Sequence, residues 1–123
     1  ENLFSLICTF EPIDNSHKWC FAIKQGSIVR ELLEKDKNAI SKGGKPMVGV
    51  FYFSKKSIFD KIARFILSQN EMVNNEFFMS QSIQACIDLA IPVYGHKVEN
   101  VIPLGTPEDI IKVRENEYKR IFK

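Results

Sequence analysis

Glycine is scarce in this sequence, and no glycine-rich loop follows an N-terminal strand. The chain has 6 glycines, and the one adjacent pair, Gly43-Gly44, lies between two strand-like runs. A loop that cradles phosphates needs several converging backbone amides with no side chains in the way. The sequence therefore predicts a flexible connection at this pair and contains no recognisable nucleotide-phosphate loop.

Cysteine and histidine are also few. Cys8, Cys20 and Cys86 are odd in number and widely spaced, which favours reduced, buried thiols over a disulfide framework. His17 and His96 have no second ligand at helical or hairpin spacing, and a zinc site needs three or four ligands. We therefore expect no metal site built from these five residues.

The chain has no large excess of charge of either sign and no long apolar run. Its 17 basic and 15 acidic side chains give a net charge of +2, which makes no electrostatic case for nucleic acid. No apolar segment reaches the length of a membrane span, and no basic-then-apolar leader opens the sequence. We expect a cytoplasmic protein with neither a nucleic-acid nor a membrane partner.

The 123 residues, 45% of them hydrophobic, suffice for one folded unit with its own core. Strand-like runs alternate with amphipathic helices whose apolar residues recur at helical spacing. The predicted strands are Leu3–Phe10, Lys18–Lys24, Ser27–Leu33, Met47–Phe53, Pro92–Lys97 and the extended Asn100–Pro103; the helices are marked by Ile58, Ile62, Phe65 and Ile66, by Ile83, Cys86, Ile87 and Ala90, and by Ile110, Val113, Tyr118 and Ile121. This order predicts an α/β fold, a mixed sheet with packed helices.

Met47–Phe53 is nearly all apolar and is flanked by charged residues. Such a run is typical of a strand buried on both faces in a parallel sheet, so we expect it at the centre of the sheet. Ser54 is then a candidate cap for the helix that follows.

Val101–Asp109 reads as a strand that runs into a Gly-Thr turn and starts a helix. Thr106 can cap the first free amides, and Pro107 stands where its missing N–H costs nothing. Glu108 and Asp109 add negative charge at the positive end of the helix. By itself this pattern is a good structural helix start.

The start of this helix is the last of four segments whose order and spacing match those of a known family. The four segments are Val29–Lys35, Val48–Phe53, Asn74–Ser80 and Leu104–Asp109. Together they resemble the second half of the sugar-phosphate nucleotidyltransferases, the family that includes glucose-1-phosphate thymidylyltransferase and mannose-1-phosphate guanylyltransferase. The Thr9–Ile23 strand pair fits the same pattern, and the resemblance covers roughly residues 6–112. No single motif is specific; the order and spacing of four weak matches carry the resemblance.

The resemblance implies a Rossmann-like nucleotide-diphospho-sugar transferase fold, of which residues 1–123 form a single domain that is the C-terminal part of a larger one. The implied reaction joins a nucleoside triphosphate and a sugar 1-phosphate into a nucleotide sugar and releases pyrophosphate, with Mg²⁺ as cofactor. Because the nucleotide-binding half is missing, we expect this chain to be inactive alone. An isolated half exposes apolar surface, which predicts self-association or a partner chain.

Glu34 and Lys35 stand at the end of a predicted strand, the usual place for ligand groups in open α/β sheets. The resemblance implies that Glu34 accepts hydrogen bonds from sugar hydroxyls and that Lys35 neutralises the sugar phosphate, and both roles suit the chemistry of these side chains. Adjacent strand residues point to opposite faces, so both can serve one cleft only if the strand has already ended. The alternative is a solvated charged pair.

Gly49 interrupts a strong strand, which often marks the close approach of a ligand or of another backbone. The resemblance places Gly49 against the sugar and directs Glu76 at it, although Asn74-Asn75-Glu76 is also an ordinary helix start. Aromatic residues that could wall such a pocket are Trp19, Phe51, Tyr52, Phe77 and Phe78. With 10 phenylalanines in a small domain, most aromatic residues must be core.

The sequence departs from the family at Pro103, where the thymidylyltransferases carry an aspartate that helps to hold magnesium. Proline cannot bind a metal, and no ligand for Mg²⁺ is identified in this chain. Either the metal ligands come from elsewhere or the chain has lost catalysis. The competing class is therefore a non-catalytic binding or assembly module; a glycosyltransferase of related fold is weaker, because no metal-binding aspartate pair ends a strand.

Overall fold

A computed structural model describes residues 2–16, 18–70, 72 and 76–115. Its elements in chain order are β1 Ser5–Thr9, β2 Cys20–Gln25, β3 Ile28–Glu34, β4 Lys45–Phe53, α1 Lys56–Gln69, α2 Met79–Asp88, β5 Val93–Lys97 and α3 Pro107–Arg114. The strands and helices predicted up to Lys97 are all present, with shifts of a few residues at their ends. Tyr118 and Ile121 of the predicted terminal helix lie outside the described residues.

The five strands form one mixed sheet that closes on itself in the order β1-β4-β2-β3-β5. β1 runs parallel to β5 and antiparallel to β4, while β2 and β3 form a hairpin through a turn at Gly26, whose φ of +64° suits glycine. Short pairings join the hairpin to the other strands: Phe21 and Ala22 meet the start of β4, and Ile28 meets β5. The predicted mixed sheet with packed helices is confirmed, in a barrel-like form.

β4 differs from its prediction in direction and in burial. Both of its neighbours, β1 and β2, run antiparallel to it. Val50 is 61% exposed and Tyr52 is 52% exposed, so one face of the strand meets solvent. The expected doubly buried parallel strand is wrong, because an apolar run is equally compatible with a curved sheet whose outer face this chain leaves uncovered. β4 does lie between two strands, as expected.

The core lies where α1 and α2 pack on each other and on the inner face of the sheet. Ile58, Ile62, Ile83 and Cys86 from the two helices are buried there with strand side chains such as Ile7, which confirms the predicted apolar stripes except at Ala90, which is exposed after the end of α2. All three cysteines are free.

Ser54 does not cap α1, whose N-cap residue is Lys55. The Ser54 hydroxyl instead accepts from the Phe4 amide at 3.0 Å and donates to the Asn2 carbonyl at 3.1 Å. These two bonds hold the start of the described chain against the end of β4.

α3 begins as the sequence predicts. The Thr106 hydroxyl accepts from the Asp109 amide at 3.2 Å, and the Asp109 carboxylate accepts from the Thr106 amide at 3.1 Å. Residues 101–104 form no strand, so that half of the prediction is wrong; Pro103 has no N–H to give to a sheet. No helix in the described part of the chain has the length and apolar character needed to cross a membrane.

Candidate functional site

A cavity of about 230 Å³ opens between the β2–β3 hairpin and the first turns of α2. Its walls come from both elements: Cys20, Leu32 and Glu34 from the hairpin, and Phe78, Ser80, Gln81 and Gln84 from the helix and its N-cap. Pockets for drug-sized ligands hold about 300–1,000 Å³. A cavity below that range suits a single sugar ring better than a whole nucleotide sugar.

Glu34 is the last residue of β3 and reaches the mouth of this cavity. Its Oε2 accepts a hydrogen bond from Ser80 Oγ at 3.2 Å. Ser80 lies in the first turn of α2, where the helix dipole favours a nearby carboxylate. Glu34 is nevertheless exposed, so its remaining acceptor positions are open to a hydroxyl-bearing ligand.

Cys20 faces Glu34 across the hairpin as its register partner. Burial raises the pKa of the Cys20 thiol to about 12, and the charge of Glu34 adds to the increase. The thiol is therefore protonated at neutral pH, and it is a weak donor rather than a nucleophile.

Lys35 follows directly after the strand and has left-handed backbone angles, with φ at +49°. Its amide donates to the Trp19 carbonyl at 3.1 Å. Because the strand ends at Glu34, the two side chains need not point to opposite faces, which meets the condition set by the sequence. Lys35 is exposed and directly follows Glu34 in the sequence, but it is not one of the residues that line the cavity.

Gly49 and Glu76 do not line the cavity either. Gly49 lies in an irregularity of the β1–β4 pairing, between the partners of Ile7 and Thr9, and a Cβ atom there would meet no other atom within 4 Å. A bulge accounts for glycine in a strand without a ligand. Glu76 is exposed, and α2 starts after it at Met79 rather than at Asn74-Asn75, which lie outside the described residues.

Sequence reasoning missed Ser80 and Gln84 as lining residues. Ser80 belongs to a segment that carried the resemblance, and a hydroxyl in the first turn of a helix was the available signal. Of the candidate aromatic residues, Phe78 lines the cavity, while the Trp19 ring packs edge-on against Phe10 at 5.3 Å. Tyr52 instead contacts the ring of Phe4 on the outer face of the sheet.

A second cleft, of about 90 Å³, separates the residues before β2 from α3. It is lined by Ile13, Asp14, Lys18, Trp19, Val101, Ile102, Pro103, Asp109, Lys112 and Val113. Lys18 Nζ lies 3.4 Å from Asp109 Oδ1, and it also lies 4.8 Å from the centre of the Trp19 ring.

The described residues do not fit a magnesium site. No group of three or more His, Cys, Asp and Glu side chains among them could hold a metal ion. Pro103 offers no donor, and Asp109 is already bound by Lys18 and Thr106.

One solved structure similar to this chain is the nucleoside-diphosphate-sugar pyrophosphorylase from Vibrio cholerae RC9, with a TM-score of 0.69 and 21% sequence identity. The match covers 88% of this chain and 45% of that one, so this chain spans less than half the length of its neighbour. The likeness shows that the two share a fold. No protein-family model and no curated protein matches the sequence.

Proposed function

We propose that this chain binds a sugar 1-phosphate and forms the sugar-phosphate side of a sugar-phosphate nucleotidyltransferase. The observation that carries the proposal is the cavity at the end of β3, where Glu34 meets Ser80. The fold shared with a nucleotide-sugar pyrophosphorylase supports it. In the proposed reaction, the sugar phosphate attacks the α-phosphate of a nucleoside triphosphate, and pyrophosphate leaves.

The chemistry of the site suits this ligand. A carboxylate and a hydroxyl that already hydrogen-bond each other can divide the hydroxyl groups of a sugar ring between them. The Lys35 ammonium, next to Glu34 in the sequence, is assigned the mobile positive charge for the phosphate. Phosphoryl transfer depends mostly on positioning and charge neutralisation, which are the contributions these residues can make. We include Gly49 and Glu76 in the proposed sugar site on the resemblance alone.

We propose that the nucleotide-binding half of the site is supplied by residues that do not belong to this sequence. The matched part is under half of the neighbouring structure, and the sequence contains no glycine-rich phosphate loop. Val50, Tyr52 and Tyr94 leave an apolar strip on the outer face of the sheet, which a second layer would cover. We expect no nucleotidyl transfer by this polypeptide alone, and association with itself or with another chain.

The second candidate is a binding or assembly module of the same fold without catalysis. Pro103, at the position where the thymidylyltransferases carry a metal-binding aspartate, is the observation that favours it. The two candidates differ in one measurable way, because the module predicts sugar-phosphate binding without transfer even when a nucleotide-binding half is supplied.

The proposal is tested by titrating this polypeptide with glucose 1-phosphate and mannose 1-phosphate in a calorimeter. We expect binding by the natural sequence, weaker binding by Lys35→Ala, and unchanged binding by Lys37→Ala. Lys37 is a matched control because it is an exposed lysine of the same short charged run. Pyrophosphate release is measured in parallel with each sugar phosphate and a nucleoside triphosphate.

Two results would contradict the proposal. Absence of sugar-phosphate binding at millimolar concentrations removes the ligand assignment. Robust pyrophosphate release by this polypeptide instead refutes the division into two halves.

A further inference from the structure

Hydrogen bonds and an ion pair connect the start of α3 to the backbone of Lys35, although the two lie far apart in the sequence. The connection runs from the Asp109 carboxylate to the Lys18 ammonium, through the peptide unit to Trp19, and from the Trp19 carbonyl to the Lys35 amide. Two of these links are non-covalent contacts, and the link between Lys18 and Trp19 is the peptide bond.

The first link is a shielded ion pair. The Asp109 side chain is 7% exposed and that of Lys18 is 35% exposed, and Lys18 Nζ lies 3.4 Å from both carboxylate oxygens. Burial alone would raise the pKa of Asp109, but hydrogen bonds from Thr106 and from Lys18 outweigh it and leave the pKa below its usual value. The carboxylate is thus charged at neutral pH, and Lys18 is the cation that compensates it.

The second link is the position of Trp19. Its indole forms a T-shaped pair with the Phe10 ring, with ring centres 5.3 Å apart, and Lys18 Nζ lies 4.8 Å from the centre of the Trp19 ring. A cation near an aromatic face adds electrostatic attraction to the packing. Three contacts therefore orient Trp19: those of Phe10 and Lys18 at its ring, and that of Lys35 at its carbonyl.

The third link matters because Lys35 has a left-handed backbone, which costs free energy for any residue other than glycine. Such a conformation persists only when surrounding contacts enforce it. The hydrogen bond from the Lys35 amide to the Trp19 carbonyl acts directly on this peptide unit.

We propose that Asp109 is a positioning residue for the sugar-phosphate site: by holding Lys18 and Trp19, it fixes the Lys35 turn and so the place of the Lys35 ammonium. The role of Lys35 rests on the proposed function, whereas the mechanical connection does not. In this arrangement α3 takes part in the site without touching the ligand.

Asp109→Asn separates this role from helix capping. An asparagine side-chain oxygen can still accept from the Thr106 amide, but it carries no charge for Lys18. Glu108→Gln is the matched control, because it removes one negative charge from the same helical turn at an exposed position. Lys18→Met keeps the apolar stem and removes the ammonium, so it should reproduce the effect of Asp109→Asn.

Hydrogen exchange of the Lys35 amide is the direct test. We expect Asp109→Asn and Lys18→Met to speed this exchange about tenfold or more, while the Ile110 amide, which donates to the Thr106 carbonyl in the first turn of α3, keeps its rate. Glu108→Gln should change neither. An unchanged Lys35 rate in Asp109→Asn overturns the inference, and loss of protection throughout the domain assigns Asp109 a general structural role instead.

Binding supplies the functional arm, with inorganic phosphate and glucose 1-phosphate as probes. Trp19 is the single tryptophan of the chain, so its fluorescence reports on a residue within the proposed connection. We expect both ligands to bind several-fold more weakly to Asp109→Asn than to Glu108→Gln. If neither ligand binds the natural sequence, the proposed function fails, but the exchange of the Lys35 amide still decides whether Asp109 holds the Lys35 turn. If Asp109→Asn binds both ligands normally although its Lys35 amide exchanges fast, the positioning role is refuted.

Discussion

Replacing Lys35 with glycine separates the conformation of this residue from its charge. Lys35 adopts a φ of +49°, which a side chain with a Cβ atom disfavours and glycine tolerates. Lys35→Gly therefore relieves backbone strain and removes the ammonium together. Lys35→Ala removes the ammonium and keeps the strain.

The magnitudes follow from the backbone and from the exposure of the side chain. Left-handed angles cost a residue other than glycine about 1–2 kcal/mol, so glycine relieves that cost in the folded state. The greater freedom of glycine in the unfolded chain offsets about 0.4–1 kcal/mol of this stabilisation. Lys35→Gly should thus raise the free energy of unfolding by up to about 1.5 kcal/mol. Lys35→Ala should stay within about 0.5 kcal/mol of the natural chain, because the side chain is exposed.

Binding should change by the same amount in both variants. A charge-assisted hydrogen bond to phosphate contributes about 1.5–3 kcal/mol, which corresponds to a loss of affinity of about 10- to 150-fold. Urea unfolding measures the stabilities, and calorimetry with glucose 1-phosphate measures the affinities. The reasoning is refuted if Lys35→Gly unfolds more easily than Lys35→Ala, or if both variants bind as tightly as the natural chain.

Other variants test the remaining parts of the structure. Gly44→Ala should destabilise the fold by about 1–3 kcal/mol, because its Cβ would lie 2.7 Å from a backbone carbonyl oxygen; Gly49→Ala meets open space and should be neutral or slightly stabilising in urea, while weakening sugar-phosphate binding if the sugar site extends to it. Cys20 should react slowly with iodoacetamide at pH 8, since its pKa is about 12, and Glu34→Gln should lower that pKa and speed the alkylation seen by mass spectrometry; an unchanged rate would contradict the coupling. Because the folded pKa of Asp109 lies below the usual 3.8, its contribution to stability is present above that pH and is lost as the pH falls through the folded pKa. The natural chain should therefore lose more stability than Asp109→Asn between pH 6 and pH 3, and parallel losses would refute the shift.

The sequence was most informative where a pattern depends on neighbouring residues. The Thr106 cap of α3 and the buried stripe of Ile58 and Ile62 in α1 each follow from residue spacing within a single helix, and both are present. The orientation of β4 depends on which strands flank it, and an apolar run does not encode this. Its exposed outer face was therefore missed.

The candidate site was predictable in part for the same reason. The end of a strand at Glu34 could be read from the sequence, but its hydrogen bond to Ser80 joins residues 46 positions apart. The pair of Lys18 and Asp109 spans 91 positions. Contacts at such separations arise from the closure of the whole sheet, which no local pattern specifies.

The closed sheet has two weak seams, and both border the β2–β3 hairpin. One seam is the pairing of Phe21 and Ala22 with the start of β4, and the other is the contact of Ile28 with β5. The hairpin carries Glu34 and is followed by Lys35, so the position of the site depends on how the hairpin is held. Few backbone pairings cross these seams, so the hairpin is held to the domain mainly by its core side chains, such as Ala22 and Val29. A sugar phosphate that bridges the hairpin and α2 would lock the two together, and ligand binding and sheet closure would then stabilise each other.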